Sequence, residues 1–227
     1  MPSTVFDTIG NKEPAMSETF REETAKSYDQ VALEYAKRFQ HELDDKPFDR
    51  KMLELLVERA GENGIICDMG CGPGQIAAYV QKLGAVAGGI DLSPQIVAVA
   101  QQLHPHIPFQ QGDMLDLKAV ENDTYSGIAA FYSIIHIPHT HVVAALRELR
   151  RVLRTDGRLL LAFHIGTEVH HANNWFGQPV NLDGYFFETQ GMKGYLQTAG
   201  FVIEEAIERD PYPQETPTRR AYLFACK

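Results

Sequence analysis

Ile66-Cys67-Asp68-Met69-Gly70-Cys71-Gly72-Pro73-Gly74 reads as a buried strand running into a glycine-rich turn, and Gln75 to Leu83 behind it reads as a helix. Glycine at alternate positions is needed where backbone takes positive φ or must approach a ligand closely. A helix starting directly behind such a turn offers free N–H groups and the positive end of its dipole, which suits a carboxylate or a phosphate. The dinucleotide fingerprint G-x-G-x-x-G is not met. Its third glycine position is Gln75, and the chain instead has G-x-G-x-G with an acidic residue, Asp68, inside the strand.

Outward from this turn the pattern alternates. Ala85 to Asp91 reads as a strand, then Ser93 to Leu103 as a helix with Ser93 as N-cap and Pro94 in the first turn. Ile107–Gln111 and Gly127–Tyr132 read as strands, Thr140–Leu153 as an amphipathic helix and Gly157–Phe163 as a further buried strand. Such alternation calls for a parallel sheet with helices on both faces. Upstream, Ser17–Phe39 is helical, with Tyr28, Val31, Ala32, Tyr35 and Phe39 on one stripe, and Pro47–Ala60 is a second helix. Met1 to Ala15 reads as a frayed terminus. Downstream, Glu168–Phe187 is aromatic but too irregular for a long helix, and Gln190–Thr198 is a short helix. Phe201–Arg209 and Arg219–Cys226 have no room for a helix between them and should pair as an antiparallel hairpin.

The 227 residues suit one α/β domain, and 44% apolar with 22% charged residues is ordinary globular usage. No apolar run approaches the length of a membrane span. Twenty-one Lys and Arg against 30 Asp and Glu give a net charge of −9, a field that attracts neither phosphate backbones nor anionic lipid. The basic cluster Arg147, Arg150, Arg151 and Arg154 reads as a solvated helix face, so no nucleic-acid or membrane partner is expected. Three cysteines make no disulfide framework and no zinc signature, and no secretory signal is visible, so a cytoplasmic location is expected. His136, His139 and His141 form an H-x-x-H-x-H string, but Pro138 breaks helical spacing between them and no metal is expected.

With these landmarks in order, the sequence resembles the class I, Rossmann-like S-adenosylmethionine-dependent methyltransferases of small-molecule type, over roughly Tyr28 to Lys227. Their first motif reads very like Cys67-Asp68-Met69-Gly70-Cys71-Gly72-Pro73-Gly74. The resemblance implies a three-layer sandwich on a seven-stranded, mostly parallel sheet of order 3-2-1-4-5-7-6 with one antiparallel strand. It also implies a flexible terminus over 1–16, lid helices over 17–62, and a methyltransferase domain over 63–227 with a substrate-side insert about 166–190.

The cofactor implied is S-adenosyl-L-methionine, with S-adenosyl-L-homocysteine as product. Asp91, at the end of the second strand, can accept bonds from both ribose hydroxyls, and Leu92 can pack on adenine; helix capping is the alternative for Asp91, though Ser93 already supplies a cap. The resemblance places Asp113 and Met114 at the adenine edge, where a plain loop aspartate is the alternative reading. Phe131 would pass beside the methionine portion. Tyr28, Asp68, Gly70, Cys71, Gly72 and Gly74 complete the expected cofactor set. Tyr28 and Tyr35 are either lid residues or members of a packing stripe.

A small-molecule acceptor would meet Tyr35, Tyr132, His164, Trp175 and Tyr185, in a pocket outside the carboxyl ends of the strands. Arg219 and Arg220 read as a surface pair, an acidic substrate group being the alternative. His136 is a candidate general base; it could equally cap the helix that follows. Transfer from an activated donor needs proximity and exclusion of water, and a base only when the nucleophile carries a proton. A monomer or homodimer is expected. Two other functions stay open: an NAD(P)-dependent oxidoreductase, disfavoured by Gln75 and the terminal hairpin, and a non-catalytic S-adenosylmethionine-binding regulator.

Overall fold

The strand ahead of the glycine turn, β1 (Ile65–Met69), is buried from Ile66 to Met69 and lies inside a seven-stranded sheet. The computed structural model describes residues 19–61 and 64–227. The expected frayed terminus and the expected helix start at Ser17 lie outside them. Along the chain come α1 (Thr19–Phe39), a 3₁₀ turn (Glu42–Asp45), α2 (Pro47–Ala60), β1, α3 (Gln75–Lys82), β2 (Val86–Asp91), α4 (Pro94–Leu103) and β3 (Phe109–Gln111). Then follow β4 (Tyr125–Phe131), a 3₁₀ turn (Ile134–His136), α5 (Val142–Val152), β5 (Leu153–His164), β6 (Val169–Trp175), β7 (Gln178–Tyr185), α6 (Thr189–Thr198), β8 (Val202–Arg209) and β9 (Arg220–Cys226).

The sheet runs β3-β2-β1-β4-β5-β9-β8, and a separate two-stranded sheet pairs β6 with β7. Counting only the strands of the large sheet, this is the order 3-2-1-4-5-7-6. Within the large sheet β9 is antiparallel to both β5 and β8 and every other pairing is parallel, and β6 and β7 pair antiparallel. Alternation along each strand feeds two cores. Leu159, Leu161 and Phe163 of β5 join Leu146 and Leu149 of α5 and Met192 and Leu196 of α6 on one face. Leu160 and Ala162 join Met52, Leu53 and Leu56 of α2, Ile76 and Val80 of α3, and Val97 of α4 on the other. The helix α1 packs across α4 through Ala32, Ala36, Ile96 and Val99. Among the described residues no helix is long and apolar enough to cross a membrane.

Three local readings differ from the structure. The segment read as irregular, Glu168–Phe187, is the β6–β7 hairpin. Its turn is Phe176-Gly177, both at positive φ (54° and 80°), between the paired Trp175 and Gln178. Two-residue hairpin turns want such backbone, which the sequence advertises when it is Asn-Gly and conceals when it is Phe-Gly. The basic face of α5 is partly spent inward: Arg151 binds Glu148 and the carbonyls of Leu117 and Val120, tying down the β3–β4 connection. Arg219 and Arg220 are not a surface pair. Arg219 is half-exposed beside Glu208, whereas Arg220 is buried and faces Glu215 at 3.4 Å.

Candidate active site

Three glycines of the turn are required for different reasons. Gly70 (φ 74°) donates to the Ile90 carbonyl at 2.7 Å, and a Cβ there would stand 2.3 Å from the Ser133 Cβ. Gly74 (φ 85°) faces Phe109, whose ring a Cβ would meet at 2.6 Å. Both are glycine because the protein itself occupies the space. Gly72 (φ 52°) differs: a Cβ there would touch nothing nearer than the Tyr35 ring at 3.4 Å, and the residue opens onto a cleft. Gln75, where a dinucleotide fold wants its third glycine, donates its side-chain amide to Glu42 at 2.6 Å.

That cleft has about 750 Å³ of open space, its mouth included, at the carboxyl ends of β1, β2 and β4. Gly70, Gly72, Asp91, Leu92, Asp113, Met114, Phe131, Tyr132 and His136 all line it, and α1 contributes Tyr28 and Tyr35 together with Phe20, Arg21 and Thr24. Asp91 is held rigidly: Oδ2 accepts the Gly72 N–H at 3.0 Å and Oδ1 the Ser93 N–H at 2.9 Å. Burial raises its carboxyl to about 6 despite those bonds. Each oxygen keeps a lone pair for a further donor. Ser93 caps α4 by accepting the Ile96 N–H, as read from the sequence. Asp113 accepts the Leu115 N–H at 2.8 Å and the Arg21 guanidinium at 2.7 Å.

Asp68, Cys71 and Gly74, expected to hold a cofactor, stand behind the turn and do not line the cleft. Cys71 is buried in the core with Ile76 and Phe131, and burial pushes its thiol up. Asp68 is 2% exposed; its Oδ2 accepts the Ala77 N–H at 3.2 Å, fixing the first turn of α3, and its Oδ1 has no partner. Burial pushes its carboxyl up to about 8. With the unfolded value near 4, the folded state is favoured by this group below about pH 4, and that contribution is lost as pH rises toward 8. Asp68→Asn keeps an oxygen for Ala77 and removes the titration. Stability measured by urea unfolding should then decline less between pH 5 and pH 8 than in the wild type; an unchanged slope would assign the decline to other groups.

The helix α1 is seated over the cleft by polar contacts that the sequence did not single out. Besides Arg21–Asp113, Asp29 accepts the Ser93 hydroxyl at 2.5 Å and the Gln95 N–H at 3.1 Å, on the exposed start of α4. Ser27 exchanges hydrogen bonds with the Asn181 backbone of β7 at 3.1 and 3.0 Å. Trp175 presses edge-on to Tyr28 and Tyr35, with ring centres 5.6 and 5.4 Å apart. Trp175 therefore backs the cleft rather than lining it. Tyr185 packs on His139, away from the cleft lining. His164 stands behind Tyr132, its Nδ1 2.7 Å from the Thr218 hydroxyl; burial and the Arg220 and Lys46 charges drive it down to about 3, so it stays neutral.

His136 has two defined partners. Its Nδ1 lies 2.8 Å from the Asp183 carbonyl, and its Nε2 2.8 Å from the Tyr28 hydroxyl. A carbonyl only accepts, so Nδ1 carries the hydrogen and Nε2 accepts from Tyr28. Burial lowers the pKa of the ring and so favours its neutral form, against the Asp183 carbonyl and charge, which raise it. His139 meets the Phe186 carbonyl at 3.0 Å and His141 the Thr140 hydroxyl at 3.0 Å, so the three histidines point to separate partners.

The donor set fits a nucleoside. Two carboxylates stand at the ends of adjoining strand segments, Leu92 and Met114 supply apolar contact, and the backbone at Gly72 leaves room where any side chain would intrude. A family model described as a methyltransferase domain matches residues 66–157. The turn, Asp91, Asp113 and His136 all fall inside that stretch, and α1 and the β6–β7 hairpin lie outside.

A ubiquinone biosynthesis O-methyltransferase of Xanthomonas oryzae is 28% identical over 102 residues, which are 43% of this chain and 41% of that protein. The chain thus matches about two fifths of the length of that relative. Among solved structures, the Synechocystis magnesium protoporphyrin IX methyltransferase with bound S-adenosylmethionine superposes with a TM-score of 0.68 at 17% identity, covering 95% of this chain and 100% of that one. The Burkholderia thailandensis 1,6-didemethyltoxoflavin-N1-methyltransferase, with 1,6-didemethyltoxoflavin and S-adenosylhomocysteine bound, gives 0.66 at 17% identity over 98% and 94%. The fold of these two structures thus extends well beyond the matched residues, over α1 and the strands that follow residue 157.

Proposed function

We propose that the protein transfers a methyl group from S-adenosylmethionine to a small, largely apolar acceptor. The observation that carries this reading is Asp91, pinned by the Gly72 and Ser93 N–H groups at the cleft with lone pairs to spare, beside a glycine that no neighbour requires. Asp91 would hold the ribose hydroxyls, Asp113 and Met114 the adenine edge, and Phe131 with the Gly70–Gly72 backbone the amino-acid portion. When bound, S-adenosylmethionine supplies a methyl group already activated on a positive sulfur. The chain's own part is to orient the acceptor and exclude water, which α1 and the β6–β7 hairpin do by closing over the cleft. The lid in this reading is residues 17–62 with the hairpin inside the insert 166–190, and 63–227 is the catalytic domain. The aromatic walls favour an acceptor with an apolar body, and the names of the relatives, one acting on oxygen and one on nitrogen, leave the methylated atom to experiment. A cytoplasmic location belongs to the same proposal, supported by three unpaired cysteines.

Calorimetric titration with S-adenosylmethionine, S-adenosylhomocysteine and NAD tests it. The first two should bind and NAD should not. Asp91→Ala should weaken S-adenosylmethionine by about 1–3 kcal/mol, the loss of charge-assisted bonds to hydroxyls. Tight NAD binding, or full affinity in Asp91→Ala, refutes the assignment.

A further inference from the structure

We propose that Tyr28 and His136 act as one proton-accepting unit for an acceptor whose nucleophile is an uncharged hydroxyl or N–H group. This deepens the methyl-transfer reading and rests on it. Both side chains line the cleft, one from the lid helix and one from the turn after β4, and they meet at 2.8 Å across it. The Asp183 carbonyl of the hairpin fixes the imidazole with hydrogen on Nδ1, so the Nε2 lone pair points at Tyr28. That lone pair is filled by the Tyr28 hydroxyl while the cleft is closed. A proton leaving an acceptor therefore reaches His136 through Tyr28.

The acceptor's O–H or N–H proton moves to the Tyr28 oxygen as the Tyr28 proton moves to His136 Nε2. The acceptor's electron pair forms the new bond to the methyl carbon, the methyl–sulfur bond breaks, and its electron pair stays on sulfur. The imidazolium, still donating from Nδ1 to Asp183, returns its extra proton to water when the lid opens. Tyr28 is a carrier and not the resting base: burial and the nearby Asp91 hold its phenol far above the usual tyrosine range. An uncharged acceptor follows from the surroundings. Phe20, Ala25, Phe131 and Ile137 are apolar, and the Arg21 guanidinium in the lining is paired with Asp113.

Two measurements test the unit. Nitrogen-15 NMR of the histidine-labelled chain without cofactor should show His136 as the Nδ1–H tautomer, with its Nε2 resonance shifted in Tyr28→Phe. The ratio of methyl transfer to catechol, which must lose a proton, over transfer to thiophenol, ionised at pH 8, should fall on the order of 100-fold in Tyr28→Phe, whatever loss the two acceptors share. His136→Asn should show the same split, and the double variant should lose no more than either single one. An Nε2–H tautomer, or equal losses with catechol and thiophenol, overturns the relay. Failure to bind S-adenosylmethionine at all would instead sink the functional reading, and the tautomer result would then decide by itself whether the pair exists.

Discussion

Asp49→Ala is expected to destabilise the fold by about 3–5 kcal/mol, the cost of breaking a buried ion pair from one side. Asp49, on α2, is 1% exposed and accepts the Tyr222 hydroxyl at 2.5 Å and the Arg209 guanidinium at 3.0 Å. Arg209 is also gripped by both oxygens of Glu215, and Glu215 faces the buried Arg220 at 3.4 Å. Burial pushes the Glu215 carboxyl up, but the Arg209 bonds, the Tyr212 N–H and the Arg220 charge outweigh it and bring it to about 2. Removing Asp49 leaves the Tyr222 hydroxyl only the Tyr132 hydroxyl, at 3.0 Å, to donate to, and leaves Arg209 and Arg220 facing Glu215 alone in a largely buried site. Asp49→Asn retains the oxygen and should recover part of the loss. The network reaches the cleft, because the Tyr222 hydroxyl lies 3.0 Å from that of Tyr132, which lines it. Urea unfolding of the two variants is the measurement, and a loss under about 1 kcal/mol in the alanine variant would show the cluster to be hydrated, worth no more than a surface pair.

Gly70→Ala should cost about 2–5 kcal/mol, from left-handed backbone strain plus overpacking. The new Cβ would lie 2.3 Å from the Ser133 Cβ, and neither side can move aside. Gly70 is bonded to the Ile90 carbonyl at 2.7 Å, and the Ser133 hydroxyl donates to the Met69 carbonyl at 2.6 Å. In a chain of this size the melting temperature should fall by roughly 10 °C. Adding Ser133→Gly removes the clash but not the strain, so the double variant should regain the overpacking share less the cost of the lost Ser133–Met69 bond, a non-additivity expected of residues in contact. Gly72→Val shares the left-handed strain, at φ 52°, but meets no such clash, and its side chain enters the cleft, so it should add a loss of ligand affinity that Gly70→Ala does not. If Gly70→Ala and Gly72→Val gave the same balance of stability and affinity losses, the division of the turn into a packing glycine and a ligand-facing glycine would be wrong.

Much of this was legible in the chain. Hydrophobic runs and glycine punctuation are local properties, so the alternating strands and helices, the terminal hairpin and the Ser93 cap could be read directly. The positions of Asp91, Asp113 and His136 followed because each ends a strand or opens the turn after it, and strand ends converge on one edge of a parallel sheet. The sequence by itself therefore determined the fold class and most of the cleft lining. Only the tertiary structure decided which residues those groups bind. Arg21, Asp29 and Ser27 look like any polar face of a helix until α1 lies across Asp113, α4 and Asn181. The tautomer of His136 depends on a backbone carbonyl of Asp183, and every residue type has one, so no pattern could announce it. Asp68, in the motif and yet outside the cleft lining, shows the complementary limit. Alternation along β1 tells which face a side chain takes, but whether a buried carboxylate meets a ligand or a helix start depends on what packs above it, and here α3 does.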